Sequence, residues 1–464
     1  MDQSAPQPAP QPARGCIEAV PAETALARAR GNPLRRYPAP DRDGDRLYPL
    51  AAPSAVPSFT IGPEDTVFAI GSCFARNIER ALSEAGLRVT SREFDLGPIG
   101  ASLGQASNFF NKYTIHSVLN ELRWALERDS FPGADVLCDL GRGRWADPQL
   151  GIARLEFPLE QVLEFRHRYL DAMAQVATAD LLVVTLGYVE SWYDRKLGLY
   201  LNLAPPVQAV KAEPGRYEFR VLGHDEVLDG LEQVHALLSR HRGRPPKMLV
   251  TVSPVPLLAT FRETDVLVAN AYSKAVQRAA VESFVARYDG VDYFPSYEFV
   301  TLSDPNVAWS RGDYRHVSPD LVDRIMAEVL ARYMRRDAGA GGAPGPAAAA
   351  STPQALTATM RMLLKLGEVD ELRALAEARR DMVDADADAL LLEAAAARRQ
   401  RDLEAAFAAL ERARALDPAR PDALERLITI CRPLRRRAAA RRLRDQHEGA
   451  FPERAAFRAR LDWI

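Results

Sequence analysis

The chain has few of the features that would place it at a glance. Its four cysteines, Cys16, Cys73, Cys138 and Cys431, stand far apart, without a Cys-x-x-Cys pair or a histidine at ligand spacing. That argues against a disulfide framework and leaves no metal site to expect. Net charge is nearly absent too, since 60 Lys and Arg against 62 Asp and Glu leave −2. Nothing global draws such a chain to nucleic acid or to an anionic membrane. Long apolar runs are missing, and no window approaches the roughly 18 to 20 residues of a membrane span. The first fourteen residues alternate Pro, Gln and Ala without an apolar core. No secretory leader is therefore expected, and a cytoplasmic protein is. No resident cofactor is expected either.

What the chain has is length and a change of texture along it. At 464 residues it exceeds the ~250 to 300 residues at which single cores stop growing. Residues 1–60 are rich in Pro, Arg and Asp and read as a disordered tip and an extended segment. From 61 to 336, apolar strand-like runs alternate with helix-like ones. The clearest runs are 66–70, 181–187 and 247–252, with a shorter second strand at 87–91 and a hairpin-like insertion at 192–222. This alternation predicts an α/β domain with βαβ crossovers, a mainly parallel sheet and three layers. Residues 337–351 are almost entirely Ala, Gly and Pro and read as a linker.

Beyond the linker, 352–464 is rich in Ala, Leu and Arg and matches itself at a shift of 34, with Pro418 on Pro452 and Ala406 on Ala440. The stretch from Arg401 to Pro418 resembles the second half of a tetratricopeptide repeat, although Ala or Leu fills the large aromatic positions. An all-α helical-repeat domain is expected. Its seven arginines between Arg432 and Arg444 read as a solvated helix face rather than a nucleic-acid patch.

Two stretches carry candidate chemistry. The first is Ile70-Gly71-Ser72-Cys73-Phe74-Ala75-Arg76, where a buried strand turns directly into a helix. The turn of such a unit lies at the carboxyl end of the strand and at the positive end of the helix dipole. A thiol there has a lowered pKa. The same residues also fit a plain turn, with Gly71 bending the chain, Ser72 capping the helix and Cys73 packed as a small apolar group. The second stretch is Asp313-Tyr314-Arg315-His316, just before Ser318 and Pro319, which read as the N-cap and first residue of the last α/β helix. A carboxylate three residues before a loop histidine can hold one ring nitrogen and leave the other to face a nucleophile.

These stretches resemble the GSCFA family, which takes its name from the motif at Gly71-Ser72-Cys73-Phe74-Ala75. The likeness continues through Phe110-Asn111-Lys112-Tyr113, Thr185-Leu186-Gly187, Thr251-Val252-Ser253-Pro254-Val255, Asn270-Ala271-Tyr272-Ser273-Lys274 and Asp313-Tyr314-Arg315-His316. The family is similar to the SGNH (GDSL-type) hydrolases and acyl-esterases, and the resemblance implies a flavodoxin-like three-layer sandwich. In SGNH enzymes the first strand ends Gly-Asp-Ser and the last block is Asp-x-x-His. Laid on this chain, the resemblance implies Cys73 as nucleophile, with Ser72 the alternative, His316 as base and Asp313 as its orienting partner. For the oxyanion hole the resemblance implies a Gly after the second strand, here Gly100 or Gly104, and an Asn after the third, where Gly187 and Tyr188 stand instead; Asn111 is the candidate substitute, Gly187 a candidate substrate contact, and Lys112, Arg76 and Arg195 are candidates for holding an anionic donor.

The function expected from this resemblance is acyl transfer or ester hydrolysis on a small-molecule or glycan acyl substrate, with acyl-CoA a candidate donor and a polysaccharide precursor a candidate acceptor. The competing class is a non-catalytic glycan- or protein-binding module with an inherited pocket. In either case the repeat domain is expected to bind a protein partner.

Overall fold

The computed structural model describes residues 16–39, 46–62, 64–84, 86–97, 106–150, 157–310, 312–333, 353–366, 369–459, 461 and 463. The first fourteen residues, Gly100 and the 337–351 segment lie outside them. The chain forms two compact units, Met1–Ser303 with Tyr333–Arg335, and Asp304–Arg332 with Arg336–Ile464.

In the first unit, β1 (Thr66–Gly71) is apolar from Val67 to Ile70 and buried along that whole run, as a strand covered on both faces requires. It runs into helix α1 (Ala75–Glu84) and then β2 (Arg88–Val89). Helices α2 (Ile115–Leu126) and α3 (Leu159–Met173) precede β3 (Leu181–Leu186), which is buried at every position. An antiparallel sheet follows, made of β4 (Glu190–Asp194), β5 (Leu199–Leu201) and β6 (Tyr217–Val221), with β4 in the centre. After it come α4 (His224–Arg242), β7 (Lys247–Val252), α5 (Val266–Val285) and β8 (Val291–Tyr293).

The central sheet has the order β8-β7-β3-β1-β2, and every pair in it is parallel. Counting central strands alone, that is 2-1-3-4-5 read from the other edge, the flavodoxin-like doubly wound order. The α/β architecture expected from the alternation is the one found. The chain reverses direction across the sheet between β1 and β3, so the crevice beyond their carboxyl ends is where this topology places a ligand. The core under that edge is aromatic. Phe94 meets Phe109, Phe110, Phe165 and Tyr169 with ring centroids 5.6 to 6.5 Å apart.

Three local differences from the sequence reading have physical reasons. The second strand is two residues long rather than five, because Thr90–Arg92 closes into a 3-10 turn. There the Ser91 and Thr90 hydroxyls replace the ladder, bonding Ala69 N–H at 3.2 Å and Val67 carbonyl at 3.4 Å. The insertion is a three-stranded sheet rather than a hairpin. Within the Pro-rich N-terminal segment, Ala22–Gly31 is a helix with no buried residue, so no apolar stripe announces it.

The second unit begins at Asp304 and contains most of α6 (Pro319–Tyr333), which starts at Pro319 as its sequence predicts. Then follow α7 (Pro353–Leu366), α8 (Val369–Ala378), α9 (Ala387–Arg399), α10 (Leu403–Leu416), α11 (Pro421–Ile430) and α12 (Arg437–Ala450). The starts of α9 and α11 are 34 positions apart (421 − 387), as are those of α10 and α12 (437 − 403). This spacing is consistent with a helical repeat. Exposed pairs cross it at a constant separation, with Arg420 on Asp388 and Arg436 on Glu404 each 32 residues apart and at 2.7 and 2.8 Å. No described helix is long and apolar enough to cross a membrane.

Helix α6 is tied to α7 by Arg324 on the Thr359 hydroxyl at 3.2 Å and by Arg361 on Asp320 at 2.6 Å. A chain ended after residue 336 loses both ties. Limited proteolysis should then cut within 304–332 several-fold faster than in the full chain. Equal rates would show that the segment needs no support from the C-terminal helices.

Candidate active site

The strand-to-helix elbow is set by one residue without a side chain. Gly71 ends β1 at φ +134°, and a Cβ on it would lie 2.2 Å from the Thr185 carbonyl oxygen and 2.6 Å from the Thr185 nitrogen. No L side chain tolerates both the backbone angle and that approach. The Ser72 N–H then donates to the Thr185 carbonyl at 2.8 Å, which fixes the elbow against β3. Ala75 and Arg76 N–H groups donate back to the Ser72 and Cys73 carbonyls at 2.8 and 3.2 Å, and helix α1 starts at once.

The two candidate nucleophiles are treated differently by this geometry. Ser72 is 3% exposed, and its hydroxyl accepts the Phe74 N–H at 3.4 Å in a capping turn. Cys73 is partly exposed and in no disulfide. Of the two, Cys73 is the side chain a substrate can reach.

Around the elbow, Asn111 pairs as a parallel bridge with Gly71, and the next N–H, that of Lys112, donates to the Gly71 carbonyl at 2.7 Å. The Asn111 side chain is buried, and among the described residues its Oδ1 accepts no hydrogen bond. A buried amide with an open valence thus lies beside the turn. Lys112 is fully buried, with its ammonium on the Phe109 and Gln149 carbonyls at 3.1 and 2.6 Å and on Glu121 at 3.2 Å. Burial pushes its pKa down to about 8. Glu121 also holds the buried Arg166 at 2.9 Å, so the Lys112 charge belongs to an internal ion cluster. Arg76 is held by Glu79 at 2.6 Å, and Arg195 is exposed, 3.8 Å from Glu218. Gly100 and Gly104 lie outside the described residues.

After β3, Gly187 packs against Tyr113. Its N–H and that of Tyr188 donate to the Tyr113 carbonyl at 3.1 and 3.0 Å, and the rings of Tyr113 and Tyr188 stack at 5.2 Å. The Gly187 carbonyl accepts the ammonium of Lys274 at 2.7 Å, which also donates to the Val255 carbonyl at 2.9 Å. The neighbouring Ser273 hydroxyl accepts the Val189 N–H at 3.0 Å. Helix α5 therefore clamps the loops that leave β3 and β7. The sequence assigns no role to Tyr188 or to Lys274, although Lys274 closes the Asn270–Lys274 stretch that carries the family likeness. The available signal for Lys274 was a lysine on the buried stripe that also carries Gln277 and Val281.

The other candidate pair lies in the second unit. Asp313 Oδ1 accepts the N–H groups of Arg315 and His316, each at 2.9 Å, and Oδ2 lies 2.5 Å from His316 Nδ1. The loop is closed by Ser310 N–H on the His316 carbonyl at 2.7 Å and by a bridge between Trp309 and Val317. Both side chains are substantially exposed. A carboxylate on Nδ1 fixes the ring and leaves Nε2 for chemistry. The Arg315 and His316 N–H groups, followed by the imidazole, hold the Asp313 carboxyl down to about 2.

A family model described as the GSCFA family matches residues 66–328, more than half the chain and with both stretches inside it. No curated protein and no solved structure matches the chain.

Two measurements test this geometry. Gly71→Ala should cost about 3 kcal/mol or more in urea unfolding, because the strained backbone and the Thr185 clash add; a loss under about 0.5 kcal/mol would mean the elbow relaxes freely. Asp313 should titrate near 2 by carboxyl NMR. The stabilisation from its hydrogen bonds is then present above the ordinary carboxylate value of about 3.9 and lost as pH falls through about 2. A midpoint near 4 would show the loop open in solution.

Proposed function

The chain belongs to the GSCFA family, and from that premise we propose that it moves an acyl group, by transfer or by ester hydrolysis, through a thiol, an imidazole and a carboxylate. In this reading Cys73 attacks the carbonyl carbon of an ester or thioester. His316 accepts the thiol proton and returns it to the leaving group, while Asp313 holds the ring. The acyl-enzyme is then resolved by water or by a sugar hydroxyl. Acyl-CoA suits the reading as donor, since a thiolate exchanges readily with a thioester, and an acylated glycan or polysaccharide precursor suits it as product or substrate.

The observation that supports this most is the Asp313–His316 pair, with the carboxylate on Nδ1 at 2.5 Å and two backbone donors keeping it ionised. The thiol and imidazole are assigned to one reaction by the order of motifs along the chain. Cys73 is preferred to Ser72 because the serine is buried in its capping turn. Asn111, buried beside Gly71, is the proposed donor to the oxyanion through its amide Nδ2–H. A partner protein for the C-terminal helices remains part of the same proposal.

Turnover of p-nitrophenyl acetate and of acetyl-CoA tests it. Cys73→Ala and His316→Ala should each lose roughly a thousandfold or more in kcat/KM, whereas Ser72→Ala should stay within about tenfold of the parent. Turnover retained in both of the first two variants would sink the mechanism. An active Cys73→Ser variant together with a dead Ser72→Ala variant would move the nucleophile to Ser72.

A further inference from the structure

Helix α11 has a polar stripe that its own core does not use. Positions 422, 425, 426 and 429 recur at helical spacing and hold Asp422, Glu425, Arg426 and Thr429, while Ala423, Leu424, Leu427 and Ile428 on the opposite side are buried. The polar stripe lines an open cavity of about 520 Å³ within the second unit. Arg398, in the last turn of α9, and Arg432, just beyond α11, add two more cations to it. The rest of the lining is apolar, with Phe457 from the short helix Ala455–Arg458 and Leu461 and Trp463 after it.

The charges in this lining do not balance. Asp422 is bonded to Arg420 at 2.9 Å, and Glu425 is held by Arg454 at 2.9 and 3.2 Å, so both carboxylates are neutralised by arginines outside the lining. Arg398, Arg426 and Arg432 form no ion pair among the described residues, and the guanidinium of Arg432 lies 5.9 Å from the Trp463 ring centroid. Elsewhere in the C-terminal helices arginines do find carboxylates, as Arg412 does with Glu393 at 2.9 Å and Arg436 with Glu404 at 2.8 Å. Three unpaired guanidiniums around one hollow set up a positive potential, which the apolar wall beside them strengthens. A guanidinium fork matches a carboxylate through two parallel hydrogen bonds, and arginine and tryptophan are the side chains that most often anchor protein contacts. The hollow falls within the roughly 300 to 1,000 Å³ of ordinary ligand pockets, room for a few side chains but not for a folded domain.

We propose that this cavity is the docking site for an acidic peptide segment of a partner protein, whose carboxylates pair with Arg398, Arg426 and Arg432 while one of its apolar side chains rests on Trp463 and Leu461. Asp422 and Glu425 favour a peptide over a nucleic acid. They stand among the arginines and repel a strand that carries a phosphate at every step, whereas a peptide can place an apolar residue opposite them. The site deepens the reading in which the C-terminal helices bind a protein partner, and it rests on that part of the reading alone. The acyl chemistry assigned to Cys73 neither needs it nor is needed by it. Arginine stays charged at every pH at which the protein is folded, so docking follows salt and the charge of the peptide rather than a titration within the pocket.

Fluorescence anisotropy on the full chain tests this, with a labelled peptide probe in which glutamates flank a Leu-Phe pair. The probe should bind with a Kd of about 10 to 100 μM at low salt, and a tenfold rise in salt should weaken it about fivefold or more. A probe with glutamine in place of glutamate, and one with Ala-Ala in place of Leu-Phe, should each bind about tenfold more weakly. Arg426→Gln combined with Arg432→Gln should cost about tenfold, and Trp463→Ala about fivefold. Trp463→Phe, with a smaller loss, takes its place if Trp463→Ala fails to fold. Arg442→Gln removes an exposed charge from α12 outside the cavity and should change nothing. The proposal is overturned if the acidic probe does not bind by about 1 mM, or if the glutamine probe binds as well. It is overturned equally if Arg442→Gln costs as much as the cavity pair, or if an oligothymidylate of the same charge binds as tightly as the acidic peptide. Turnover of p-nitrophenyl acetate separates the two readings. The cavity variants should keep the parent's turnover, and a chain that binds the probe but shows no turnover dependent on Cys73 loses the acyl reading and keeps the docking site.

Discussion

The contact of Gly71 with the backbone of Thr185 is the constraint on which the first unit's functional edge depends. The two strands run side by side in regular parallel register, but at φ +134° a Cβ on Gly71 would point straight into the Thr185 backbone and has no room. That approach brings the Ser72 N–H onto the Thr185 carbonyl and frees the Gly71 carbonyl for Lys112 N–H. A second glycine contact works in the same layer, where a Cβ on Gly187 would meet the Tyr113 carbonyl at 2.8 Å. Together they gather the segments after β1 and β3 and the one preceding α2 around Cys73. A side chain at either glycine would part those segments, so the crevice owes its form to atoms that are missing.

Most of the sheet was legible as text because its strands are buried on both faces and so read as unbroken apolar runs. Val67–Ile70, Leu181–Leu186 and Met248–Val252 are of this kind. What was not legible depends on contacts between distant residues. Thr90 and Ser91 fit a strand by composition, yet their hydroxyls take over the bonds that a longer β2 would have made. The Asp313–His316 pair was readable because three residues of one loop contain the whole interaction. Lys274 lies in a stretch that carries the family likeness, but its contacts could not be read there, since they are with Gly187 and Val255, 87 and 19 residues away.

The two buried lysines near the elbow illustrate how one residue type serves different ends. Lys112 is compensated by Glu121 inside an ion cluster with Arg166 and Asp147, and removing one partner from such a cluster typically costs ~3 to 5 kcal/mol. It fastens the segment before α2 beneath the sheet edge. Lys274 rests instead on the carbonyl dipoles of Gly187 and Val255, with no carboxylate bonded to it among the described residues. The acceptors of each cation show which segments it fastens together.

The row of exposed arginine–carboxylate pairs along the C-terminal helices, from Asp388 and Arg420 to Glu404 and Arg436, has a mechanical consequence. Each is worth little as an exposed contact, ~0 to 1 kcal/mol, and the apolar core beneath holds the helices together. But each pair joins segments 32 residues apart at the exposed surface, linking one helix to the start of another. Salt screens such charges over about 8 Å at physiological strength and less at higher. Raising ionic strength should therefore loosen these surface ties between helices first, while the apolar core beneath them is kept.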